Sequence, residues 1–264
     1  MTATSGRSGW RRAALLVATM LLPLSWPSVL PGQSLGDAAR EKRWADEIVP
    51  SLVVGDAVYL QAQPGPRFLA LYTIATPAKG AVLLTHGPGL HPDHGLTGQL
   101  RVSLADRGFT TLSLQMPVLP AESEAGEAYR ALGPEAAARI EAGVVFLQRA
   151  GFDRIAIVSH AMGAGMAYEY LRTRRPAPPV FAWVALSFYG SFGEVADAKY
   201  PILDLYGAND YWGIRGTSSW LRAITLRSVP GSKQLAATEG GYFLDGAEKT
   251  VVREVADFLD AAAK

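Results

Sequence analysis

Short runs of β-branched and apolar residues alternate with alanine-rich stretches along nearly the whole chain after Ser51. Each short run has the length of a buried strand, and each alanine-rich stretch repeats apolar residues at helical spacing. The alternation is typical of a mostly parallel sheet between two layers of helices, because parallel strands need a crossover of about a dozen residues. It predicts strands at 52–61, 67–75, 80–85, 109–115, 154–159, 180–187, 201–206 and 224–229.

The stretches between these strands predict the helices. They are expected at 97–107, 134–150, 162–174, 213–223 and 247–262. The first two strands are separated only by QAQPGP, which predicts an antiparallel hairpin that leads into the parallel part. A helix at 37–50 is expected to pack on the edge of the sheet. A chain of 264 residues, 49% of them hydrophobic, is long enough for one core, so we expect a single domain over 37–264.

The first 36 residues differ from the rest of the chain. Arg7, Arg11 and Arg12 precede the apolar run AALLVATMLLPLSW, which is short for a membrane span. This pattern predicts a signal peptide and linker over 1–36, and therefore an exported protein that is periplasmic or secreted. The alternative is an uncleaved membrane anchor, since no clean A-x-A cleavage site precedes the mature region. A membrane is an expected partner only in that second case.

The amino-acid composition excludes several classes of binding partner and site. The 25 basic and 24 acidic residues give a net charge of +1, and no basic block follows the N-terminus, so no nucleic-acid binding is predicted. The chain has no cysteine, which excludes disulfides, thiolate metal sites and a cysteine nucleophile. We expect a small-molecule ligand or a protein partner, and no cofactor. Nothing in the sequence fixes an oligomeric state.

The loops that follow the predicted strands are the candidate site, because ligands of parallel sheets bind beyond the carboxyl ends of the strands. The informative loops are HGPGLHPDHG, SHAMGAG, GANDYW and EGGYFLDG. In SHAMGAG a strand passes through a tight turn into a helix. The small residues Ser159 and Gly163 flank the turn, as the close approach of strand and helix requires. The apex of this turn is Ala161.

SHAMGAG resembles the G-H-S-M-G-G nucleophile elbow of α/β-hydrolases, and the other three loops follow in that superfamily's order. The resemblance implies an α/β-hydrolase fold with a mostly parallel eight-stranded sheet and helices on both faces. No large cap domain is expected, because the connection 188–200 is short. More narrowly, TTLSLQMPVLP, SHAMG and LDLYGAND are similar to an exported bacterial family of this fold whose function is unassigned.

The resemblance also implies roles for individual residues. Ala161 occupies the nucleophile position, and Tyr242, in EGGYF, occupies the position of the general base. Asp210, in GAND, is at the position of the triad acid, which is intact. The HGPG loop and the elbow imply positions for oxyanion or ligand binding at His86, Gly87, Pro88, Gly89, His160 and Met162.

The functional expectation depends on Ala161 and Tyr242, which stand where the resemblance implies a serine and a histidine. Alanine has no group that attacks a carbonyl carbon, and the members of a triad act as a unit. We therefore expect a protein of hydrolase ancestry with a degenerate triad, which binds a small acyl- or ester-like ligand or a partner. The alternative is an active ester or acyl hydrolase that uses a substitute serine, with Ser159, Ser187 and Ser191 as candidates, or a metal-bound water.

Two further features bear on this site. The metal alternative has candidate ligands whose spacing matches no standard zinc signature: His86, His91, Asp93, His94 and His160. The stretch PVLPAESEAGEAYRALG after the fourth strand is too long and polar for a minimal connection, and predicts a flap over the pocket. Tyr242 is expected to donate a hydrogen bond or to gate the pocket, because a phenol with a pKa near 10 is a poor base.

Overall fold

The computed structural model describes most of the chain after the N-terminal segment. The described residues are 1–2, 36–63, 65–123, 127–174, 179–211 and 219–264. The expected signal peptide and linker therefore lie almost entirely outside the described residues, as does most of the predicted helix 213–223. Within the described residues, no helix is both long enough and apolar enough to cross a membrane.

The order of the elements follows the predicted alternation. The strands are β1 Asp56–Gln61, β2 Arg67–Thr73, β3 Gly80–Thr85, β4 Phe109–Leu114, β5 Ile155–His160, β6 Val180–Leu186, β7 Ile202–Gly207 and β8 Lys233–Ala237. The helices are α1 Ala38–Ile48, α2 Gly95–Asp106, α3 Glu127–Arg130, α4 Gly133–Arg149, α5 Met162–Thr173, α6 Ser219–Leu226 and α7 Glu248–Ala262.

The eight strands form one sheet in the order β1-β2-β4-β3-β5-β6-β7-β8. β1 and β2 form the predicted antiparallel hairpin, and β2 is also antiparallel to β4. All other neighbouring strands are parallel. Every residue of β3, β4 and β5 is buried, as expected for strands covered on both faces. The predicted mostly parallel eight-stranded sheet is confirmed.

Helices cover both faces of the sheet. On one face, α4 and α5 contribute Ile140, Leu147 and Tyr170 to a core that includes Leu83 of β3. On the other face, α2 and α7 bury a second set of apolar side chains, among them Leu100. The helix predicted at 37–50 is α1, which packs its apolar side against β2. The arrangement has the two helical layers that the alternation predicts.

The prediction of a strand at 224–229 is wrong. Ile224 and Leu226 belong to α6, and the last strand of the sheet is β8, at Lys233–Ala237. Arg222 of α6 is fully buried and pairs with Asp204 of β7, with a nitrogen–oxygen distance of 2.7 Å. This ion pair holds the segment against the sheet as a helix.

The connection between β6 and β7 is short, as predicted. Residues 187–201 are all described, and they contain only one turn of 3₁₀ helix at Gly193–Val195. No cap domain is inserted in this described segment.

Candidate active site

The strand order reverses between β3 and β5, because the chain leaves β3 for β4 on one side while β5 lies on the other. The loops after β3 and β5 therefore form the crevice where ligands of such sheets bind. Thr85 is paired in register with Ser159, and its hydroxyl donates to the Gly163 carbonyl at 3.2 Å. A Cβ on Gly163 would overlap the carbonyl oxygen of His86, so the elbow needs glycine there to pack this closely.

Ala161 lies at the apex of the elbow, with φ +54° and ψ −119°. A positive φ costs a non-glycine residue about 1–2 kcal/mol and is typical of a nucleophile elbow. The residue is fully buried, and its N–H donates to the Leu186 carbonyl at 2.8 Å. A Cβ on Gly87 would lie 3.4 Å from the Ala161 methyl, so the apex faces the HGPG loop. The backbone at Ala161 therefore has the conformation that the resemblance to a nucleophile elbow implies, with a methyl group at its apex.

The three candidate serines differ in their environments. Ser159 is buried; its hydroxyl donates to the Val184 carbonyl at 2.9 Å and accepts from the Trp183 indole at 2.8 Å. Ser191 is exposed, and its oxygen accepts from a backbone N–H two residues later. Ser187 is fully buried at φ +49°, and its hydroxyl makes no hydrogen bond within the described residues. Ser159 and Ser191 are thus bonded as turn and core serines.

The loops after β7 and β8 bring the acid and base positions together. The N–H of Asn209 donates to the Gly240 carbonyl at 3.1 Å, and a Cβ on Gly207 would lie 2.9 Å from the Gly241 carbonyl oxygen. Asp210 follows directly and is fully buried. Tyr242 lies close enough for the Asp210 charge to affect its ionisation. The positions that the resemblance assigns to acid and base are therefore neighbours.

Tyr242 is a phenol that keeps its proton. Burial raises its pKa far above the ordinary value, and the neighbouring Tyr189 and Asp210 raise it further. A protonated phenol donates a hydrogen bond but does not take a proton from a nucleophile at neutral pH.

Aromatic side chains surround the apex. The Tyr242 ring lies 5.1 Å from Phe243 and 6.3 Å from Tyr189, measured between centroids. Phe243 meets the ring of His160 edge-on at 6.2 Å, and the Tyr189 hydroxyl lies 3.7 Å from the Met162 sulfur. The space beside the apex is therefore bounded mainly by aromatic rings.

His86 is a structural residue of the first loop. Its Nδ1 donates to the Gly87 carbonyl at 2.8 Å, and its Nε2 accepts from the Met116 N–H at 2.9 Å. The side chain is 1% exposed, and burial lowers its pKa to about 3. A neutral imidazole with both nitrogens bonded to the backbone has no atom left for a ligand. The His86 ring thus has no nitrogen left for the metal alternative, while the oxyanion role implied for the backbone of this loop stays a prediction.

The HGPG loop provides few oxyanion donors. Pro88 has no N–H. The Gly89 N–H donates to the Tyr129 hydroxyl at 3.1 Å, so the structure also corrects its expected oxyanion role. Met162 begins α5, where the first N–H groups have no partner within the helix. An oxyanion at the apex is thus left with the Gly87 and Met162 backbones among the predicted positions.

The candidate metal ligands do not converge. The Asp93 carboxylate pairs with the buried Arg101, with a nitrogen–oxygen distance of 2.6 Å. The backbone N–H of Asp93 donates to Nδ1 of His91 at 3.3 Å. The rings of His91 and His94 meet edge-on at 5.2 Å, while His86 is bonded to the backbone. Within the described ranges, no group of three His, Asp or Glu side chains is arranged to hold a metal ion. These five residues, the candidate ligands of the metal alternative, therefore form no such cluster in the described part of the chain.

His160 and His94 line the same pocket, but their surroundings differ. It is 3% exposed, neither ring nitrogen makes a hydrogen bond, and burial lowers its pKa to about 4. A backbone contact from Tyr242, which falls short of hydrogen-bond geometry, opposes this shift slightly. The ring borders a cavity of about 240 Å³.

Two residues of the site were not predicted from the sequence. Tyr129 is buried in the segment predicted as a flap, and its hydroxyl accepts from the backbone of Gly89 and, at 3.4 Å, of Leu119. Phe243 borders the cavity beside His160. The sequence signal for Tyr129 is a tyrosine within an otherwise polar connection. Phe243 follows Tyr242 directly, but no sequence motif marks it as a site residue.

Comparison with known proteins gives the architecture its name. No protein-family model and no curated protein matches this sequence. Solved structures do match. A putative α/β-hydrolase from Agrobacterium tumefaciens has a TM-score of 0.60 and 17% identity, over 77% of this chain and 94% of that one. This chain has the α/β-hydrolase fold.

Two further α/β-hydrolase-fold structures resemble it to the same degree. A Pyrococcus furiosus esterase gives a TM-score of 0.61 at 14% identity, over 79% of this chain and 97% of that one. An α/β serine hydrolase homologue from Coxiella burnetii gives 0.59 at 11%, over 79% and 99%. At such identities the likeness establishes the fold alone.

Proposed function

We propose that this α/β-hydrolase-fold protein has lost triad catalysis and binds a small acyl- or ester-like ligand at the crevice between the β3 and β5 loops. The observation that carries the proposal is Ala161, which holds the strained backbone of a nucleophile elbow with only a methyl group at the apex. Strain of this kind persists where the surrounding structure over-determines it, as at binding and catalytic sites.

The neighbouring groups support the same conclusion. Tyr242 keeps its proton and cannot serve as a general base. Pro88 lacks an N–H, and the Gly89 N–H is bonded to Tyr129, which weakens any oxyanion hole. Ser159, the substitute nucleophile nearest the apex in sequence, uses its hydroxyl to join β5 to β6. The similarity to an esterase structure supports an ester-like ligand at the level of the fold.

The first test is hydrolysis of a nitrophenyl butyrate ester together with labelling by a fluorophosphonate. The native protein is expected to show no turnover above buffer and no covalent label. Turnover or labelling of the native protein would contradict the proposal, and the labelled peptide would identify the nucleophile, with Ser187 the serine to examine first.

The second test rebuilds the triad around Asp210. Ala161→Ser combined with Tyr242→His restores a nucleophile and a base beside the buried acid. Because general-base catalysis contributes about 10²-fold or more, the double variant is expected to exceed Ala161→Ser alone by about that factor. The matched control is Ala161→Ser with Tyr242→Phe, which keeps the aromatic ring without a base. Equal rates in the two double variants would show that the acid and base positions are not aligned for catalysis.

We also propose that the protein is exported to the periplasm or the medium. The proposal rests on Arg7, Arg11 and Arg12 before an apolar run at the N-terminus. Fractionation of a C-terminally tagged protein, with sequencing of the mature N-terminus, tests both export and cleavage. A full-length protein in the membrane fraction would support the uncleaved anchor.

A further inference from the structure

The N-terminal helix α1, Ala38–Ile48, is bonded to the start of the segment predicted as a flap. The N–H of Asp37, which caps this helix, donates to the Val118 carbonyl at 2.7 Å. The Arg40 guanidinium donates to the Leu119 carbonyl at 2.9 Å. Both bonds join α1 to the chain shortly after it leaves β4, so the position of α1 and the start of the flap depend on each other.

The same helix contacts the loop after β3. The ring of Trp44 lies 5.7 Å from the ring of His91, measured between centroids. The Tyr129 hydroxyl accepts from the N–H of Gly89 at 3.1 Å and from the N–H of Leu119 at 3.4 Å, which joins this loop to the start of the flap. The helix α1, the loop after β3 and the start of the flap are therefore connected on the β3 side of the crevice.

Glu41 is the polar anchor of α1. Arg139 of α4 is fully buried and donates to both Glu41 oxygens, at 2.8 and 3.2 Å. Arg139 also pairs with Glu135, on its own helix, at 2.6 Å, and donates to the Gln115 carbonyl at 2.9 Å. The side-chain amide nitrogen of Gln115 lies 3.1 Å from Nε2 of His86. A second series of polar contacts thus connects α1 to the loop after β3.

Apart from this anchor, α1 is weakly held. Of its apolar residues, all of them described, only Ala45 and Ile48 are buried. A cavity of about 200 Å³ borders both α1 and β2, with Ala45 and Leu69 in its lining. Burial raises the pKa of Glu41 even though Arg139 opposes this, so the carboxylate loses more by leaving water than the arginine restores. Few buried apolar contacts are typical of segments that open locally.

We propose that α1 is a detachable strap, which opens while the sheet stays folded and thereby releases the loop after β3 and the start of the flap from the crevice. A helix of eleven residues is marginal in water, so the open strap unfolds. Glu41 is the positioning residue of the strap. The inference rests on the proposed function in one respect, that this crevice is the ligand site, and it adds a device that sets when its β3 side is ordered.

Amide hydrogen exchange, measured residue by residue by NMR, tests the strap in the native protein. The N–H groups of Ala45 and Ile48 report opening of α1, and those of Ile157 and Val158 in β5 report global unfolding. After correction for intrinsic rates, the α1 groups are expected to exchange at least about a hundredfold faster than the β5 groups. Equal protection of the two sets would overturn the proposal, because α1 would then open only when the whole domain unfolds.

Two matched variants separate the strap from a general loss of stability. Glu41→Gln and Glu135→Gln each remove one carboxylate from Arg139, but only Glu41 lies on the strap. Glu41→Gln is expected to speed exchange about tenfold in both α1 and β5, since it weakens a contact that both openings break. Glu135→Gln is expected to speed exchange in β5 alone, because its contact within α4 persists when the strap opens. Equal acceleration of α1 by both variants would contradict the strap.

The Gly89 N–H, bonded to Tyr129, tests the connection to the crevice. Its exchange is expected to be accelerated by Glu41→Gln and not by Glu135→Gln, as for α1. Any other pattern would show that α1 opens without releasing the loop, which would overturn that half of the proposal. The proposed function is tested separately. Hydrolysis of the nitrophenyl ester by the native protein would contradict the loss of catalysis, whereas equal protection of α1 and β5 would reject the strap and leave the loss of catalysis standing.

Discussion

The loops after β3 and β5 lie side by side, and each places a histidine at the end of its strand, but they use the histidine in opposite ways. His86 is 1% exposed and has both nitrogens bonded to backbone groups; His160 is 3% exposed and has neither bonded. Burial keeps both rings neutral. The first loop is therefore fixed by the hydrogen bonds of its histidine, whereas the second holds its histidine by burial, with the Tyr242 backbone near the ring.

The two loops also differ in backbone strain. In the first, Gly89 supplies a positive φ at no steric cost. In the second, Ala161 adopts a positive φ in spite of its Cβ. A strained backbone and a histidine without hydrogen bonds therefore occur together on the elbow side of the crevice. This is the distribution expected when one loop supports a site and the other contains it.

The largest effect is expected from removing each imidazole in turn. His86→Leu leaves the buried Met116 N–H and Gly87 carbonyl without partners, at about 1–3 kcal/mol each, so the free energy of unfolding should fall by about 2–5 kcal/mol. His160→Leu removes no partner and should change it by less than about 1 kcal/mol in either direction. Urea unfolding with unchanged m-values measures both. Equal losses would show that His160 has a structural partner after all.

The pH dependence of stability should give the next largest effect. The pKa of His160 is lowered to about 4 by burial, against about 6.5 in an unfolded chain. Between these values the unfolded state binds a proton that the folded state does not. As far as His160 is concerned, the free energy of unfolding is therefore highest above about pH 6.5, and it decreases as the pH falls towards 4.

His160→Leu removes this linkage, so the slope of unfolding free energy against pH should decrease by about 1.4 kcal/mol per pH unit between about pH 6 and pH 4.5. Part of the slope should remain, because burial also lowers the pKa of His86. His94→Leu makes the same chemical change at an exposed position and is the control. A decrease of the same size in the control would assign the effect to something other than burial of His160.

Much of this fold could be predicted because strands β3 to β7 are short, apolar and bounded by glycine, proline or polar turns. β8 could not. Lys233–Ala237 is a half-exposed edge strand, so its sequence lacks the apolar run that marks a buried strand. The alternation at 224–229 fits a strand, whereas the structure has a helix there whose Arg222 pairs with the buried Asp204. That pair joins residues far apart in sequence.

The candidate site also has a part that the sequence predicts and a part that it does not. Ala161, Asp210 and Tyr242 are positioned by local motifs, so their approximate placement follows from strand order. The hydrogen bonding of the two histidines does not, because one partner of His86 is Met116, which follows β4 and is 30 residues away in sequence. Likewise the cavity of about 240 Å³ beside His160 is lined by Leu90 from the loop after β3 and by Phe243 from the loop after β8. Local sequence patterns do not predict contacts between segments that are distant in sequence.

The smallest effect tests the strain at the apex. Ala161→Gly loses a buried methyl, about 0.8 kcal/mol, and gains unfolded-state entropy, but it also relieves about 1–2 kcal/mol of positive-φ strain. The net change should be less than about 0.5 kcal/mol. Ala164→Gly, equally buried but inside α5, loses the same methyl with no strain to relieve and should cost about 1–2 kcal/mol. Because the two substitutions are chemically identical, the difference in their unfolding free energies measures the strain. Equal costs would mean that the elbow holds Ala161 without strain, and that backbone geometry no longer distinguishes this loop from the one after β3.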